Sequence, residues 1–440
     1  MKHCIVICLL AMVIFSRSRA QFPSTAPNQF QGGFGLTWIN NEPFYAFHLR
    51  PDLSFGKIGV GLDLNLEFDS QGKLRKENFN EFSDYIAVIR YVRYGTERDT
   101  VFLKLGSLDW VTLGQGNIIN EYNNSPSFDT RKTGMQFNLN LDKYGVQTLW
   151  SNFAQAGVVG VRGFVHPLKL TSIPDIPVIS NVEIGATYAA DFATAANASA
   201  VATSGDGQSY SIIDMANSLT ITGFDIDFPV LRSDLTGIDL YANYTKIITY
   251  GSGQAIGGMF HFDLSSLVTA RARLERRFNG DHYIAGYFDA LYEIERVNII
   301  TGATKSGLLA SMVDNSNGYY GDLLIRLIGT FDILGSYQKL DNVSNSGIFH
   351  AYTNVAPEGM PIVARAGYDK VNIVDFTDLV TTDDRSYLYA EVGYKPLPYL
   401  ITSMLYSWTF TPIRNGSDIV GYEPQRKVEP RVTFVYTFGE

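Results

Sequence analysis

The chain has 440 residues, with 35 Lys and Arg against 44 Asp and Glu, and a formal net charge of −9 at pH 7. This acidic balance argues against nucleic acid as a partner. The only two cysteines, Cys4 and Cys8, lie close to the N-terminus. The remaining chain can therefore form no internal disulfide and no cysteine-ligated metal site.

The first twenty residues have the pattern of a secretory signal peptide. Lys2 and His3 precede an apolar run over residues 4–15, and Ser18 and Ala20 place small residues at −3 and −1 of a cleavage site. A membrane-anchoring helix is the alternative, but it needs about 20 apolar residues. We therefore predict a signal peptide over 1–20, a periplasmic segment over 21–31 and one domain over 32–438. Loss of Lys2, Arg17 and Arg19 with the signal peptide leaves 32 basic against 44 acidic residues, a net charge of −12.

Alternating side chains then predict β-strands from residue 32 onward. Short strands are expected over 32–39 and 44–49, and the clearest one covers 57–68. Its apolar residues occupy the even positions, whereas its polar residues and glycines occupy the odd ones, as side chains on the two faces of a strand do. The polar face comprises Lys57, Gly59, Gly61, Asp63, Asn65 and Glu67.

Residues 85–94 admit two registers because Arg90 lies among apolar residues. One register points Tyr85, Ile89 and Tyr91 outward and Arg90 inward. The other would place Arg90 in lipid, at a cost of about 2–4 kcal/mol near the bilayer midplane. The first register is therefore predicted.

The rest of the chain repeats this pattern. Polar faces carry Arg162 in a strand over 157–166, Asp225 and Asp227 in one over 219–228, and three arginines in one over 267–278, namely Arg271, Arg273 and Arg277. Long connections are expected over 113–130, 192–216 and 342–384, whereas the pattern over 279–317 predicts no particular structure. In total the sequence predicts about 18 strands, with 16 as the alternative.

The last strand, predicted over 431–438, places Val432, Phe434, Tyr436 and Phe438 on one face. It resembles the terminal strand of Gram-negative outer-membrane β-barrels, in which an aromatic-x-aromatic ending is read by the assembly machinery. Tyr436 and Phe438 match that motif, although Gly439 and Glu440 follow it. Across residues 32–438 the pattern resembles porin-like outer-membrane barrels. The resemblance implies a location in the cell outer membrane, with its lipid and the barrel-assembly machinery as partners.

Alternation alone does not exclude a soluble sandwich, whose apolar faces meet in a dry core. Three features favour the membrane. Several strands reach the 9–11 residues needed to cross a bilayer, and short and long connections alternate. Aromatic residues fall near strand ends, as in an interfacial girdle; these are Trp38, Trp110, Trp150, Trp408, Tyr436 and Phe438. The predicted fold is all-β, a single closed antiparallel transmembrane β-barrel.

The function predicted from this fold is a porin-like channel for passive passage of small polar solutes, since 16–18 strands leave an aqueous lumen. The inward rows supply the candidate lining, and arginines facing carboxylates across the bore would filter solutes by charge. The lining candidates are Lys57, Asp63, Asn65, Glu67, Arg90, Arg162, Asp225, Asp227, Arg271, Arg273 and Arg277. The alternative is that these charges pair with one another in a plugged interior.

Two other functions remain open. An outer-membrane hydrolase would need a histidine beside a nucleophile and a carboxylate; His282 beside Asp281, and His350, lie in predicted outer loops but in no recognisable motif. A structural or docking barrel with an occluded lumen is the other alternative. No cofactor and no metal are expected.

Overall fold

The part of the chain that can be described covers most of the predicted domain. The computed structural model describes residues 29–39, 42–75, 88–97, 99–125, 132–154, 157–171, 178–194, 218–233, 235–264, 267–297, 304–312, 316–328, 330–355, 361–397, 399–415 and 418–437, with Phe79, Tyr85 and Ile176. The predicted signal peptide and Phe438 lie outside these residues, and the predicted domain division stays a prediction. The first strand begins at Gln29, within the segment over 21–31 that was predicted to be periplasmic.

The described strands form one antiparallel sheet that closes on itself. Closure is made by the first and last strands, whose residues Gln29–Phe34 pair with Val432–Thr437. The strands are β1 (Gln29–Ile39), β2 (Glu42–Phe55), β3 (Ile58–Leu62), β4 (Leu64–Phe68), β5 (Ile89–Tyr94), β6 (Val101–Gly106), β7 (Gly134–Asn140), β8 (Tyr144–Trp150), β9 (Val158–Val165), β10 (Glu183–Asp191), β11 (Leu219–Arg232), β12 (Thr236–Ile247), β13 (Ser252–Leu264), β14 (Val268–Asn279), β15 (Gly318–Leu327), β16 (Phe331–Leu340), β17 (Gly347–Val355), β18 (Ile362–Ile373), β19 (Ser386–Leu397), β20 (Leu400–Asn415) and β21 (Asp418–Thr437).

Helices are few and short in the described residues. They are α1 (Tyr292–Glu295), α2 (Lys305–Ser311) and α3 (Phe376–Val380), with 3-10 turns at Pro167–Leu170 and Ile179–Asn181. In the described ranges, no helix has the length and apolar character needed to cross a membrane.

The described strands occupy twenty positions around the barrel, because β3 and β4 are two parts of one strand interrupted at Asp63. Both pair with β2 in a single register, Asp52 opposite Gly61 and Leu49 opposite Leu64. The all-β closed antiparallel barrel is therefore confirmed, but the predicted number of 18 strands, with 16 as the alternative, is wrong.

The two missing strands are β17 and β18, which lie in the predicted loop over 342–384. Their alternation is weak because small residues occupy the apolar face. In β18, Ala364 and Ala366 stand where other strands carry Leu, Ile or Phe, and in β17 both faces mix polar and apolar residues.

The last hairpin is also longer than predicted. β21 begins at Asp418 rather than at Arg431, and its partner β20 extends to Asn415. β19 pairs with β20 only as far as Trp408, whereas β20 and β21 pair with each other up to Asn415 and Asp418. In the described pairings, the part of this hairpin beyond Trp408 therefore has no neighbouring strand on the β19 side. Proline removes a backbone donor, which an edge strand tolerates.

The two faces of the sheet differ sharply in chemistry. On β11, β13 and β14 the outward side chains Phe224, Ile256 and Leu274 are 63%, 61% and 72% exposed. The neighbouring positions, among them Asp225 and Arg273, point inward and are buried. A soluble protein rarely exposes a contiguous apolar surface of this kind.

Two expectations near the N-terminal strands are corrected. Lys57 is exposed in the turn between β2 and β3, where Gly56 has a positive φ, and does not lie on a strand face. Tyr91, predicted to point outward, is buried and its hydroxyl donates to Asp52. The cause is a bulge where β5 meets β3, which turns both Arg90 and Tyr91 toward the interior.

Connection lengths differ between the two ends of the barrel. Turns such as 141–143, 328–330 and 398–399 lie at one end, hereafter the short-turn end. The opposite, long-loop end carries the connections over 69–88, 107–133, 192–218 and 280–317. This arrangement is typical of outer-membrane barrels.

The contact between Gly61 and Tyr91 provides a test of the corrected register. A Cβ at Gly61 would lie 2.5 Å from the Tyr91 ring, whereas a Cβ at Gly163 would meet nothing within 4 Å. We expect Gly61→Val to lower the free energy of unfolding by about 1–3 kcal/mol, because overpacking forces the ring to move. Gly163→Val is the control and should have little effect. Urea titration followed by the gel mobility of folded and unfolded barrel would measure both, and equal losses in the two variants would contradict the register.

Candidate functional site in the barrel interior

Two long connections fold into the barrel and contact each other there. We call residues 107–125 the first inner loop, and residues 280–297 with 304–312 the second inner loop. Ile119 and Phe288 form a parallel bridge. The Phe288 amide donates to the Ile118 carbonyl and the Gly286 amide to the Asn117 carbonyl, each at 3.0 Å. The two loops therefore form one packed unit.

This unit encloses a hydrophobic cluster between itself and the inner wall. Its aromatic centre consists of Tyr287, Phe288 and Tyr292, of which Phe288 and Tyr292 meet edge to face with ring centroids 4.8 Å apart. The other buried members come from both loops and from β8 to β12; they are Leu108, Val111, Leu113, Ile118, Ile119, Tyr122, Leu149, Val158, Ala189, Leu219, Ile221, Ile247, Tyr283 and Leu309. Burial of this kind stabilises the loops in one position.

Polar contacts hold the first inner loop against the wall. The Gly114 amide donates to Gln147 on β8 at 3.0 Å, and the Gln115 side chain donates to Asp227 on β11. Asn117 donates to Thr245 on β12 at 2.8 Å. Arg273 on β14 donates to the Gln115 carbonyl at 2.8 Å. The loop thus lies across the inner faces of β8 to β14.

Arg162 is the centre of the charge network under this loop. Its side chain is 2% exposed and bonds two carboxylates, Glu183 at 2.6 Å and Asp225 in a two-point contact. A Cβ on Gly114 would lie 2.6 Å from Arg162 Nε, so the loop backbone rests directly on the guanidinium. A buried charge paired in this way stabilises one arrangement and leaves no free charge for solute.

A second network anchors the second inner loop. Two nitrogens of Arg296 donate to Asp191 at the long-loop end of β10, at 3.0 and 2.5 Å, and a third donates to Glu293 at 3.2 Å. Tyr292 donates to Asp191, and Lys132 pairs with Glu293. All these groups are largely buried. The network therefore fixes α1 to the wall beside the hydrophobic cluster.

The wall formed by β17 to β21 and β1 to β4 is more open to solvent. Here Asp63 bonds His48 at 2.6 Å and Arg50 at 2.7 Å, and Glu391 bonds Arg365 at 2.6 Å. The carboxylates are buried, whereas the cationic side chains are partly exposed. The side chain of Arg50 is 37% exposed, and that of Asp63, which it contacts, is 0% exposed. Arg431, 3.6 Å from Glu391, is 38% exposed. We call this half of the interior the open wall.

The predicted lining residues divide between the two halves. Arg162, Asp225, Asp227 and Arg273 lie under the first inner loop. Arg277 pairs with Glu275 and covers the Tyr320 ring, and Arg271 is exposed on the same face of β14. On the open wall, Asn65 donates to Glu67, and Asp63 holds His48 and Arg50. Beside this wall, Arg90 on β5 is largely buried and donates to Asp52 at 3.2 Å. Whether these residues line a solute path stays a proposal.

Sequence reasoning missed several members of these networks. His48 lies in the predicted strand over 44–49 and Arg50 directly follows it; both contacts with Asp63 would follow from pairing β2 with the 57–68 strand. Arg365 lies in the missed strand β18. Glu293 and Arg296 lie in the connection to which the pattern assigned no structure.

The proposed girdle residues take different positions. Trp150 ends β8, is 41% exposed and stacks on Phe153. Trp408 stacks on Tyr406 within β20, and Trp110 is 65% exposed in the first inner loop with a positive φ. Trp38 and Tyr436 lie in β1 and β21, and Phe438 lies outside the described residues. An interfacial girdle stays a prediction.

The histidines considered for catalysis have structural partners. His282 contacts the Leu309 carbonyl at 2.6 Å, and His350 pairs with Asp369 at 2.7 Å. Neither is placed against a hydroxyl nucleophile among the described residues. Within the same ranges, no group of three or more His, Cys, Asp or Glu side chains could hold a metal ion.

Comparison with known proteins gives only distant likenesses. No protein-family model matches the chain, and no curated protein matches it. Among solved structures, the chain is similar to Wzi of Escherichia coli, described as a carbohydrate-binding β-barrel involved in group 1 capsule assembly. The identity is 11%, the TM-score 0.39, and the coverage 99% of this chain and 88% of that one.

It is also similar to a BenF-like porin from Pseudomonas fluorescens, at 13% identity and TM-score 0.34, with 93% and 96% of the two chains covered. OccK5 of Pseudomonas aeruginosa has 12% identity and TM-score 0.32, with the same coverage. At these values the function must be argued from the geometry of the chain itself.

The Arg296 network can be tested by removing its central charge. Arg296→Met leaves Asp191 and Glu293 buried with fewer partners, which costs about 3–5 kcal/mol when a buried pair is broken. We expect faster hydrogen exchange at the amides of residues 283–296, measured by mass spectrometry, with the strand amides of β17 to β19 unchanged.

Arg326→Met is the control, because Arg326 pairs with Asp332 in an exposed position. An exposed pair contributes about 0–1 kcal/mol. Unchanged exchange in Arg296→Met would show that the hydrophobic cluster alone holds the second inner loop.

Proposed function

We propose that the barrel spans the outer membrane of a Gram-negative cell. The observation that carries this proposal is the reversed distribution of residues: large apolar side chains such as Leu274 and Ile256 are exposed all along the outer face, whereas charged ones are buried inside. A closed barrel satisfies its backbone hydrogen bonds within itself, as a lipid environment requires. The apolar outer face would contact acyl chains.

We further propose that the barrel is a channel for passive passage of small polar solutes. Barrels of 16–18 strands already leave an aqueous lumen, and diameter grows with strand number. The inner loops fill the side lined by β8 to β14. The solute path would then run off-centre along the open wall, where Arg50, Arg365, Arg431 and His48 keep solvent contact.

The open wall also suggests the charge preference of the path. Its carboxylates lie behind the cationic groups: Asp63 behind Arg50, and Glu391 behind Arg365 and Arg431. A solute in the bore would meet the cationic groups first. We therefore propose a modest preference for anions.

The experiment that tests the channel is conductance in planar lipid bilayers. Correctly folded protein should give discrete, voltage-independent current steps smaller than expected for an empty barrel of this size, because the inner loops fill part of the bore. No current from folded, membrane-inserted protein would contradict the channel and favour an occluded docking barrel. Arg296→Met should raise the conductance or make it fluctuate, because the second inner loop is held less firmly.

The proposed charge preference gives a separate prediction. Neutralising two exposed cations, in Arg50→Gln with Arg431→Gln, leaves the buried carboxylates less compensated and should shift the reversal potential in a salt gradient toward cation preference. The control is Lys169→Gln at the short-turn end, where Lys169 pairs with Asp142 outside the bore; it should not shift. An unchanged reversal potential in the double variant would place the ion path away from the open wall.

A further inference from the structure

The connection between β18 and β19 folds back on the outer face of the barrel instead of standing free above it. Tyr368 points outward, because it lies opposite Ala351 and its ring is 5.9 Å from that of Phe349. Its hydroxyl donates to the Leu379 carbonyl of α3 at 2.6 Å. Helix α3 therefore lies against the outside of the wall near the long-loop end.

A buried lysine holds this connection in place. Lys370 lies opposite Phe349, hence on the outer face, and its side chain is 0% exposed. Its ammonium donates to the carbonyls of Asp378 and Thr381 at 2.6 and 2.7 Å, and to the carboxylates of Asp378 and Asp383 at 3.0 and 3.1 Å. A desolvated ammonium has three N–H groups that need acceptors. Here the connection supplies all of them.

Arg385 completes the ion cluster by bonding both Asp378 and Asp383. Burial alone would raise the pKa of the Asp378 carboxyl. Hydrogen bonds from the Val374 amide, Arg385 and Lys370 outweigh burial and hold that pKa below its usual value. Asp378 is therefore ionised at neutral pH and keeps its contacts with Lys370 and Arg385, so α3 has a rigid base.

On this base, α3 presents two apolar side chains away from the barrel. Phe376 is 80% exposed and Val380 69% exposed, and their spacing of four residues places them on one side of the helix. Val374, which precedes the helix by two residues, is 42% exposed. A rigid loop in water is not stabilised by exposing large apolar side chains, because such side chains are stabilised by leaving water.

The position of α3 indicates what covers these side chains. The helix rests on the same outer face that carries the apolar belt of the barrel, continuous with Tyr368 and Phe349. The helix also lies near the long-loop ends of β17 and β18, where a membrane-spanning strand would leave the bilayer. Short amphipathic helices at such a depth bury their apolar side at the boundary of headgroups and acyl chains.

We propose that α3 is a membrane-interface anchor, which inserts Phe376 and Val380 into the lipid at the boundary of headgroups and acyl chains. This proposal rests on the proposed function, because it requires the barrel to span a bilayer. Its distinctive part is the Lys370 clamp, which holds the anchor on the outer wall and fixes its depth.

The test uses site-directed spin labels in phospholipid vesicles. Full-length protein with Cys4→Ser and Cys8→Ser provides a cysteine-free background. Phe376→Cys and Val380→Cys are labelled and compared with Asp384→Cys in the same connection. Labels at 376 and 380 should collide with oxygen several-fold more, relative to a water-soluble nickel chelate, than the label at 384. Equal nickel accessibility at all three positions would overturn the anchor.

A label at Leu274→Cys, on the outer face of β14, separates the two proposals. If 274 is lipid-exposed and 376 water-exposed, the anchor alone fails. If both are water-exposed, the membrane-spanning proposal fails with it. A second copy of the chain covering α3 is the remaining outcome: spin–spin broadening at 376 that disappears on dilution with unlabelled protein would overturn lipid contact in favour of self-association.

Discussion

The closed ladder of backbone hydrogen bonds is the constraint on which the rest of this structure depends. A sheet whose first and last strands pair has no free edge at that seam, so its backbone needs no solvent partner there. Closure also gives every strand one inward and one outward face. The outward faces can then be apolar and the inward faces charged, which an open sheet in water could not maintain.

A second constraint is that charged side chains inside a wide barrel need either partners or water. On the side of β8 to β14, Arg162, Arg273 and their carboxylates are covered by the inner loops and are satisfied by one another. On the open wall, similar pairs remain partly hydrated. Similar charge pairs are thus buried under the inner loops on one side and exposed to solvent on the other, and the difference lies in where two connections fold.

The sequence allowed prediction of the fold class and of most strand faces, because large apolar residues alternate with polar ones along strands such as 57–68 and β14. It failed where this contrast is weak. Alanines on the outer face of β18 conceal that strand, and the bulge at Arg90 shifts Tyr91 by one residue, which no periodic pattern anticipates. The packing of Phe288 against Ile119 joins segments about 170 residues apart in the chain, so it depends on tertiary contacts that a local pattern does not contain.

The pairing of Gln29–Phe34 with Val432–Thr437 has a consequence for the order of assembly. The two paired segments are about 400 residues apart, so the seam cannot form until synthesis has delivered both. Loop-closure entropy makes such a distant pairing slow relative to neighbouring hairpins. An open sheet of nearly all the strands should therefore precede the closed barrel. Until closure, its first and last strands have unpaired edges, and these edges are the sites most prone to pairing with other chains.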